Sequence, residues 1–399
     1  MPEHVSFPGW LETRILCPPG LLNVNGRHFQ GNEYSPGREI PVAAMPGRLE
    51  MQFRLLGLLP LHRMTVNVVP ETRVIPGGHS IGVLLHSRGV MVVGLAAIRE
   101  PSGNKVNPAA KAGIMNGDII LRVNKRCVNS ERQLRDEINR CGSKGLDLTL
   151  EIKRADKIFN VVLQPVFCTE TGRYRIGLCI RDSAAGVGTL TFYDPASKKY
   201  GALGHMITDM NTGRRIDLVD GSIVEAAVQG IHQGRRGRPG EKIGLFNGGG
   251  LKGNIIKNTP FGIFGTLERL PVNPFYRQPL PVALSYQVKK GPAQILTVLQ
   301  ENKMERFNIE ILQVMPQARP DGKGMVIRVT DPRLLQTTGG IIQGMSGSPI
   351  IQNGRLIGAV THVFVNDPSR GYGVLAEWMI REAGLWPEQK EIEKPGKVA

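Results

Sequence analysis

The stretch Gly344-Met345-Ser346-Gly347-Ser348-Pro349-Ile350 decides how the second half of the chain is interpreted. It follows Gly339-Gly340 and leads into the apolar run 356–361. A serine bracketed by glycines is typical of a nucleophile on a tight turn, because glycine adopts backbone conformations that other residues resist. The amides of Gly344 and Ser346 would then form an oxyanion hole. The alternative is an ordinary turn rich in small residues, which any β protein contains.

The sequence on either side of this turn predicts an all-β domain. Short apolar runs alternate with glycines from Pro165 onward, which indicates a barrel or sandwich of about 220 residues. A helix is predicted at 376–384 and a polar tail at 387–399. The predicted strands are 186–193, 222–228, 243–246, 261–267, 282–288, 294–299, 307–312 and 325–329.

Composition bounds the class of protein. The chain has 399 residues, of which 41% are hydrophobic and 21% charged, as in a soluble globular protein of two or three domains. No apolar run approaches the ~18 residues of a membrane helix. The net charge of +16 allows a basic nucleic-acid or envelope-binding protein. No RNP motif or Lys/Arg block accompanies it, so we predict no nucleic-acid partner. Five cysteines without paired spacing predict neither disulfides nor a metal site, and we expect no cofactor.

Residues 77–165 resemble a PDZ domain of the permuted kind found beside bacterial proteases. The most specific part is Pro108-Ala109-Ala110-Lys111-Ala112-Gly113, followed by Gly117-Asp118-Ile119-Ile120. The resemblance implies a peptide that adds a strand to a sheet edge, beside a helix that begins after Ser130. The predicted peptide-binding residues are Ser80, Ile81, Gly82, Val83 and Leu134. The alternative is a small α/β domain whose glycines only form turns.

The N-terminal part, residues 1–76, gives weaker signals. Residues 1–38 show no sustained periodicity and are predicted to be a poorly ordered arm. A small β lead-in follows, with predicted strands at 40–44, 49–56 and 64–69. The serine peptidase domain is predicted over 166–386.

A nucleophilic serine needs a base, and His205 in Gly204-His205-Met206 is the candidate. His232 is predicted to be solvated and His362 to be structural. A carboxylate must orient the imidazole, and Asp331 lies 15 residues before Ser346. Asp209 is the local competitor, and spacing does not decide between the two.

Three stretches together resemble the stage IV sporulation protein B family of serine peptidases. They are 204–209, 337–349 and 361–368, and the segment Val74-Ile75-Pro76-Gly77-Gly78-His79-Ser80 also fits. The resemblance covers residues 45–385. It implies a mainly β protein, with a small α/β PDZ domain preceding a trypsin-like double β-barrel protease. It also implies the catalytic residues His205, Asp331 and Ser346.

The same resemblance implies partners and a place of action. The protease would cleave itself in its own N-terminal region and cleave a membrane-associated regulatory protein. That cleavage signals from the forespore to activate a late mother-cell sigma factor. The protein is therefore expected in the space between the forespore and mother-cell membranes. Residues 1–45 contain no export segment, so either the start is misassigned or export occurs in another way. A non-catalytic PDZ adaptor with a degenerate protease domain is the competing reading.

Overall fold

The computed structural model describes residues 11–35, 41–56, 58–155, 157–208, 213, 218–315 and 321–386. Its contacts divide the chain into one unit of Met1–Thr72 with Gly384–Ala399, and a second unit of Arg73–Ala383. Within the described ranges, no helix has the length and apolarity that crossing a membrane requires.

The first unit contains strands where an arm was predicted. Ile15 and Leu22 are almost fully buried in its small core, so the predicted poor order is wrong for residues 11–35, and the rest of 1–38 lies outside the described residues. Antiparallel pairing across β1, β6 and β7 builds its main sheet. Its strands are β1 (Leu11–Leu16), β2 (Leu22–Val24), β3 (Arg27–His28), β4 (Glu33–Tyr34), β5 (Val42–Ala43), β6 (Gly47–Leu55) and β7 (Leu59–Val68).

The PDZ-like region follows the predicted order. Asn107 caps the first short helix, and the hydroxyl of Ser130 accepts a hydrogen bond from the Gln133 amide at 3.2 Å at the start of the second. Leu134 lies on that helix and is fully buried. The elements are β8 (Arg73–Pro76), β9 (Ser80–Leu95), β10 (Ile98–Arg99), β11 (Lys105–Val106), α1 (Pro108–Lys111), β12 (Ile119–Val123), β13 (Arg126–Cys127), α2 (Glu131–Ser143), β14 (Leu148–Arg154) and β15 (Lys157–Leu163).

One large sheet runs from the PDZ-like region into the next part of the chain, in the order β15-β14-β12-β9-β18-β19-β23-β22. Strands β9 and β18 pair antiparallel over most of their length and so belong to both parts. The added strands are β16 (Val166–Cys168), β17 (Arg173–Arg175), β18 (Leu178–Tyr193), β19 (Lys199–Ala202), β20 (Leu218–His232), β21 (Glu241–Asn254), β22 (Lys257–Thr259) and β23 (Gly262–Thr266).

The last part of the chain closes into a barrel of six strands, in the order β25-β26-β27-β30-β29-β28. The strand predicted at 282–288 is wrong, because Ser285–Gln287 forms a 3₁₀ turn. The elements are β24 (Leu280–Pro281), β25 (Gly291–Gln300), β26 (Lys303–Val314), β27 (Met325–Val329), α3 (Pro332–Thr338), β28 (Pro349–Gln352), β29 (Arg355–Phe364), β30 (Asp367–Leu375) and α4 (Ala376–Glu382).

The predicted fold class is confirmed. The chain is mainly β, and the small α/β region precedes one half-barrel and one closed barrel, as the double-barrel prediction requires. The closing helix predicted at 376–384 is α4.

Candidate active site

The loop between α3 and β28 holds Ser346 in a conformation that requires glycine on both sides. Gly344 and Gly347 have φ angles of +89° and +92°, which side chains other than glycine rarely adopt. A Cβ at Gly347 would lie 2.1 Å from the carbonyl oxygen of Thr189. The glycines therefore fix the serine on a turn packed tightly against a neighbouring strand, as the sequence predicted.

Two amides of this loop lack an acceptor. Within the described part of the chain, neither Gly344 N–H nor Ser346 N–H makes a hydrogen bond, whereas every other amide from Gln343 to Ser348 does. Free, adjacent donors beside a nucleophile are what an oxyanion hole requires. The engaged amides donate as follows: Gln343 to Gly240 O, Met345 to Ile342 O, Gly347 to Val360 O and Ser348 to Met345 O.

His205 follows β19 through a tight turn. Gly204 has φ +73°, and a Cβ there would lie 2.9 Å from Cγ2 of Thr361. The Nδ1 atom of His205 is 2.8 Å from the carbonyl oxygen of Met206. A carbonyl only accepts, so Nδ1 carries the proton and Nε2 is left as an acceptor, the tautomer of a general base. Burial lowers the pKa of His205, and the Met206 bond opposes that shift.

The structure brings His205 and Ser346 to the same place. The hydroxyl of Ser346 donates to the carbonyl oxygen of Thr361 at 2.8 Å, and Gly204 packs against the side chain of that threonine. In this arrangement the hydroxyl donates to that carbonyl and not to the imidazole. It must redirect this bond to Nε2 before His205 can accept its proton, and such tightening on substrate binding is common.

His362 is a neighbour that the sequence assigned to structure. Its ring centroid is 5.0 Å from that of His205, and the planes are inclined by 42°. Desolvation, then the charges of His205 and Lys323, lower the pKa of His362 to about 4. It is therefore neutral at pH 7. Its position directly after Thr361 was visible in the sequence, but only the fold shows that β29 ends beside His205.

Asp331 is not brought to His205. Its carboxylate caps the N-terminus of α3, accepting from the backbone N–H and the guanidinium of Arg333 at 3.0 to 3.1 Å and from the Asn308 amide at 3.2 Å. The Arg333 guanidinium is the main reason that the pKa of Asp331 is lowered. The competitor Asp209 lies outside the described residues. Within them, Met206 supplies the orienting acceptor, and the role predicted for Asp331 stays a prediction.

The predicted peptide edge is wrong. Ile81, Gly82 and Val83 are paired with β18 on one side and with β20 on the other, so no strand can be added there. Ser80 pairs with Thr189, and Leu134 is buried in the core rather than lining a groove. Gly82 is explained by packing, because a Cβ there would lie 2.5 Å from the Phe246 ring.

An alternative edge lies at the start of β18. Leu178, Cys179 and Ile180 pair with β9 on one side, and within the described residues no strand pairs with them on the other. Helix α2 lies nearby, since the Glu131 amide donates to the Asp182 carboxylate at 2.8 Å. The edge of a strand beside a helix is the geometry of strand addition.

Among the described residues, no cluster of three or more His, Cys, Asp or Glu side chains is placed to hold a metal ion. The groups that the site does contain, a serine, a histidine and two backbone donors, are those that acyl transfer requires.

A family model agrees with this chemistry. The sequence model named SpoIVB peptidase S55 matches residues 172–380, and a PDZ domain model matches residues 81–164. Among solved structures, the chain is similar to the Rv3671c protease from M. tuberculosis in its active form. That alignment has 15% identity and a TM-score of 0.29, and covers 53% of this chain and 78% of that one. The inactive form of the same protease aligns with 15% identity and a TM-score of 0.29, over 50% of this chain and 85% of that one.

Proposed function

Because this chain belongs to the SpoIVB peptidase S55 family, whose model covers more than half of it, we propose that it is an endopeptidase in which Ser346 is the nucleophile and His205 the general base. The observation that carries the proposal is the pair of free amides, Gly344 and Ser346, on the loop that presents the serine hydroxyl.

The reaction follows from these groups. Ser346 Oγ attacks the peptide carbonyl while Nε2 of His205 takes its proton, and the C–N bond breaks as the imidazolium returns that proton to the leaving amine. The Gly344 and Ser346 amides receive the negative oxygen of each tetrahedral intermediate. Water then attacks the acyl-enzyme by the same route, with His205 again as the base.

A fluorophosphonate serine probe tests the nucleophile. Labelling is expected in the wild type and lost in Ser346→Ala and His205→Ala. Ser348→Ala is the matched control, because Ser348 lies two positions further along the same turn and its buried hydroxyl has no hydrogen-bond partner among the described residues. Labelling that survives in Ser346→Ala, or disappears in Ser348→Ala, contradicts the assignment.

Asp331 is proposed as the third catalytic residue on the family resemblance alone, with Asp209 as the competitor. Asp331→Asn, Arg333→Gln and Asp209→Asn separate the roles. Loss of an orienting carboxylate costs roughly 10⁴-fold in kcat, whereas loss of a helix cap costs about 1 kcal/mol of stability. If Asp331→Asn loses stability but no more kcat than Arg333→Gln does, Asp331 is only a helix cap. A 10⁴-fold loss in Asp209→Asn alone moves the role to Asp209.

The physiological substrates are proposed from the family resemblance. They are the chain's own N-terminal region and a membrane-associated regulatory protein, cut in sporulation signalling after export to the space between the forespore and mother-cell membranes. Intact-mass analysis of wild type and Ser346→Ala tests self-cleavage. Shortened chains are expected only with Ser346 present, and full-length chain alone in both samples contradicts it.

The PDZ region is proposed to bind a peptide along Leu178–Ile180 rather than along β9. A pool of hexapeptides with apolar C-termini, added to Ser346→Ala protein, tests this by hydrogen–deuterium exchange. Slower exchange is expected at 178–180 and on α2, with no change at 80–83. Protection confined to 80–83 would contradict the new location.

A further inference from the structure

Strand β18 passes directly beneath the serine loop and is bonded to it three times. The Thr189 amide donates to the Ser346 carbonyl at 2.9 Å, and the Thr189 hydroxyl donates to the Gly344 carbonyl at 2.8 Å. The Thr191 hydroxyl donates to the Gly347 carbonyl, also at 2.8 Å. Both threonine side chains are completely buried. Neither residue stood out in the sequence, where both look like ordinary strand positions.

These bonds complete a set that fixes every peptide plane of the loop. Each carbonyl from Gln343 to Gly347 has a donor, and a planar peptide unit whose carbonyl is held has its N–H held as well. The two amides left without acceptors are those of Gly344 and Ser346. The carbonyls are held as follows: Gln343 by Lys242 N, Gly344 by Thr189 Oγ1, Met345 by Ser348 N, Ser346 by Thr189 N and Gly347 by Thr191 Oγ1.

We propose that Thr189 and Thr191 are positioning residues, whose hydroxyls hold the serine loop in the conformation that aims the Gly344 and Ser346 amides at the reacting oxygen. The inference rests on the proposed function of that loop. Three of the five carbonyls accept from backbone amides, which only a substitution by proline removes, whereas these two accept from a side-chain hydroxyl. Each hydroxyl is therefore a point at which one residue change removes a hydrogen bond from a peptide plane before or after the nucleophile.

The conformation of Gly344 explains why the hydrogen bond from the Thr189 hydroxyl is needed. With φ at +89°, this glycine has wide backbone freedom of its own, so its conformation must be set by its surroundings. Its carbonyl is bonded to Thr189 on one side, and a Cβ built on it would lie 3.1 Å from the Lys242 stem on the other. Without the hydroxyl, the Gly344–Met345 peptide plane keeps only the bond from the Met345 amide to the Ile342 carbonyl, so its orientation is less restrained.

The test compares threonine with its isosteres. Thr189→Val and Thr191→Val keep the shape and remove the hydroxyl, and Thr189→Ser and Thr191→Ser keep the hydroxyl. The control is Thr13→Val, because Thr13 is buried in the first unit and its hydroxyl has no partner among the described residues.

With fluorescent casein as substrate, the valine variants are expected to lose about 10- to 100-fold in kcat with KM changed less than twofold, less than the loss of an oxyanion donor itself. Affinity for a peptide boronate, whose tetrahedral adduct occupies the oxyanion hole, should fall in parallel with kcat. The serine variants should recover most of both, and the Thr13 control should match wild type. A valine variant that is less stable but keeps kcat and boronate affinity overturns the proposal.

Hydrogen–deuterium exchange of residues 339–348 measures how well the loop is ordered, and it needs no catalysis. Faster exchange is expected in Thr189→Val and not in Thr189→Ser. Unchanged exchange in the valine variant would refute the proposal that the Thr189 hydroxyl holds the loop. Because this measurement needs no turnover, it separates failure of the inference from failure of the proposed function. The latter would appear as wild-type protein that neither cleaves casein nor reacts with the serine probe.

Discussion

Lys242 places an amine in the interior directly behind the serine loop. Lys242 is only 5% exposed. Its Nζ donates to the Thr297 hydroxyl at 2.8 Å, and the carbon chain of its side chain packs against Gly344. Burial alone lowers its pKa from 10.5 to about 7, with no charged partner contributing. We therefore predict that Lys242→Met, which keeps the stem and removes the charge, makes the protein more stable at neutral and acidic pH.

The sign and size follow from proton binding. Between pH 7 and 10.5 the unfolded chain keeps the Lys242 proton that the folded chain has lost, so the free energy of unfolding rises with pH. The slope is about 1.4 kcal/mol per pH unit, or roughly 5 kcal/mol over the window. Below pH 7 both states are protonated and the full penalty applies. Removing the amine recovers that penalty, less about 1 to 3 kcal/mol for the Thr297 hydroxyl left without its partner.

Urea unfolding followed by tryptophan fluorescence measures the effect, since Trp378, one of the three tryptophans, packs against the barrel core. At pH 6 the variant should exceed wild type by about 2 to 4 kcal/mol, and the difference should shrink and then reverse toward pH 10. Lys252→Met, on the exposed face of the same strand, is the control and should show no such trend. A Lys242→Met variant that is less stable at pH 6, or a difference that is constant from pH 6 to 10, refutes the reasoning.

Three further outcomes are expected. Burial lowers the pKa of His205, so the imidazole stays neutral to a lower pH than usual. The loss of kcat/KM in acid should therefore have its midpoint below pH 6.5, and a midpoint at or above 6.5 contradicts this. Gly347→Ala should lose nearly all turnover and several kcal/mol of stability, because its Cβ would lie 2.1 Å from Thr189 O and its φ is +92°. Gly354→Ala is the control. Its φ is +71° and no atom lies within 4 Å of the added Cβ, so it should cost only about 1 kcal/mol. The pKa of Glu137 is lowered to about 2, chiefly by Arg140, whose side chain is half exposed and therefore screened by solvent. Glu137→Gln should remove about 1 to 2 kcal/mol of stability that wild type has above pH 4.5 and loses as pH falls toward 2, and converging melting curves in acid would show this.

Features encoded within a few residues could be predicted from the sequence. Ser130 as a helix cap and the glycines around Ser346 depend on local backbone chemistry, and both occur as expected. A further local signal was available but unused. Asp331-Pro332 is a cap followed by proline at the first helical position, which marks the start of α3 and gives the carboxylate a structural partner two residues away.

Features that depend on distant pairing could not be predicted. The glycine-containing edge at 80–83 looks open in sequence, but strands about 100 and 140 residues further along the chain cover both of its sides. Likewise, nothing local distinguishes Thr189 or Lys242, because their roles arise only where β18 and β21 meet the serine loop. Strand alternation predicts which residues are buried, but it does not predict which carbonyl a buried hydroxyl will meet.

Strand β18 links the two regions through its register. Ile180 lies on the edge beside α2, and Thr189 lies under the serine loop nine residues later, about 30 Å along an extended strand. A slip of one residue would turn the Thr189 hydroxyl to the opposite face of the sheet, away from Gly344. The pairing with β9 is irregular between Cys179 and Ile180 and again between Arg181 and Ser183, and it is regular from Ser183 to Thr189. Misfit at the α2 end can therefore be absorbed at those irregularities, while the regular pairing from Ser183 to Thr189 keeps Thr189 in register with the nucleophile.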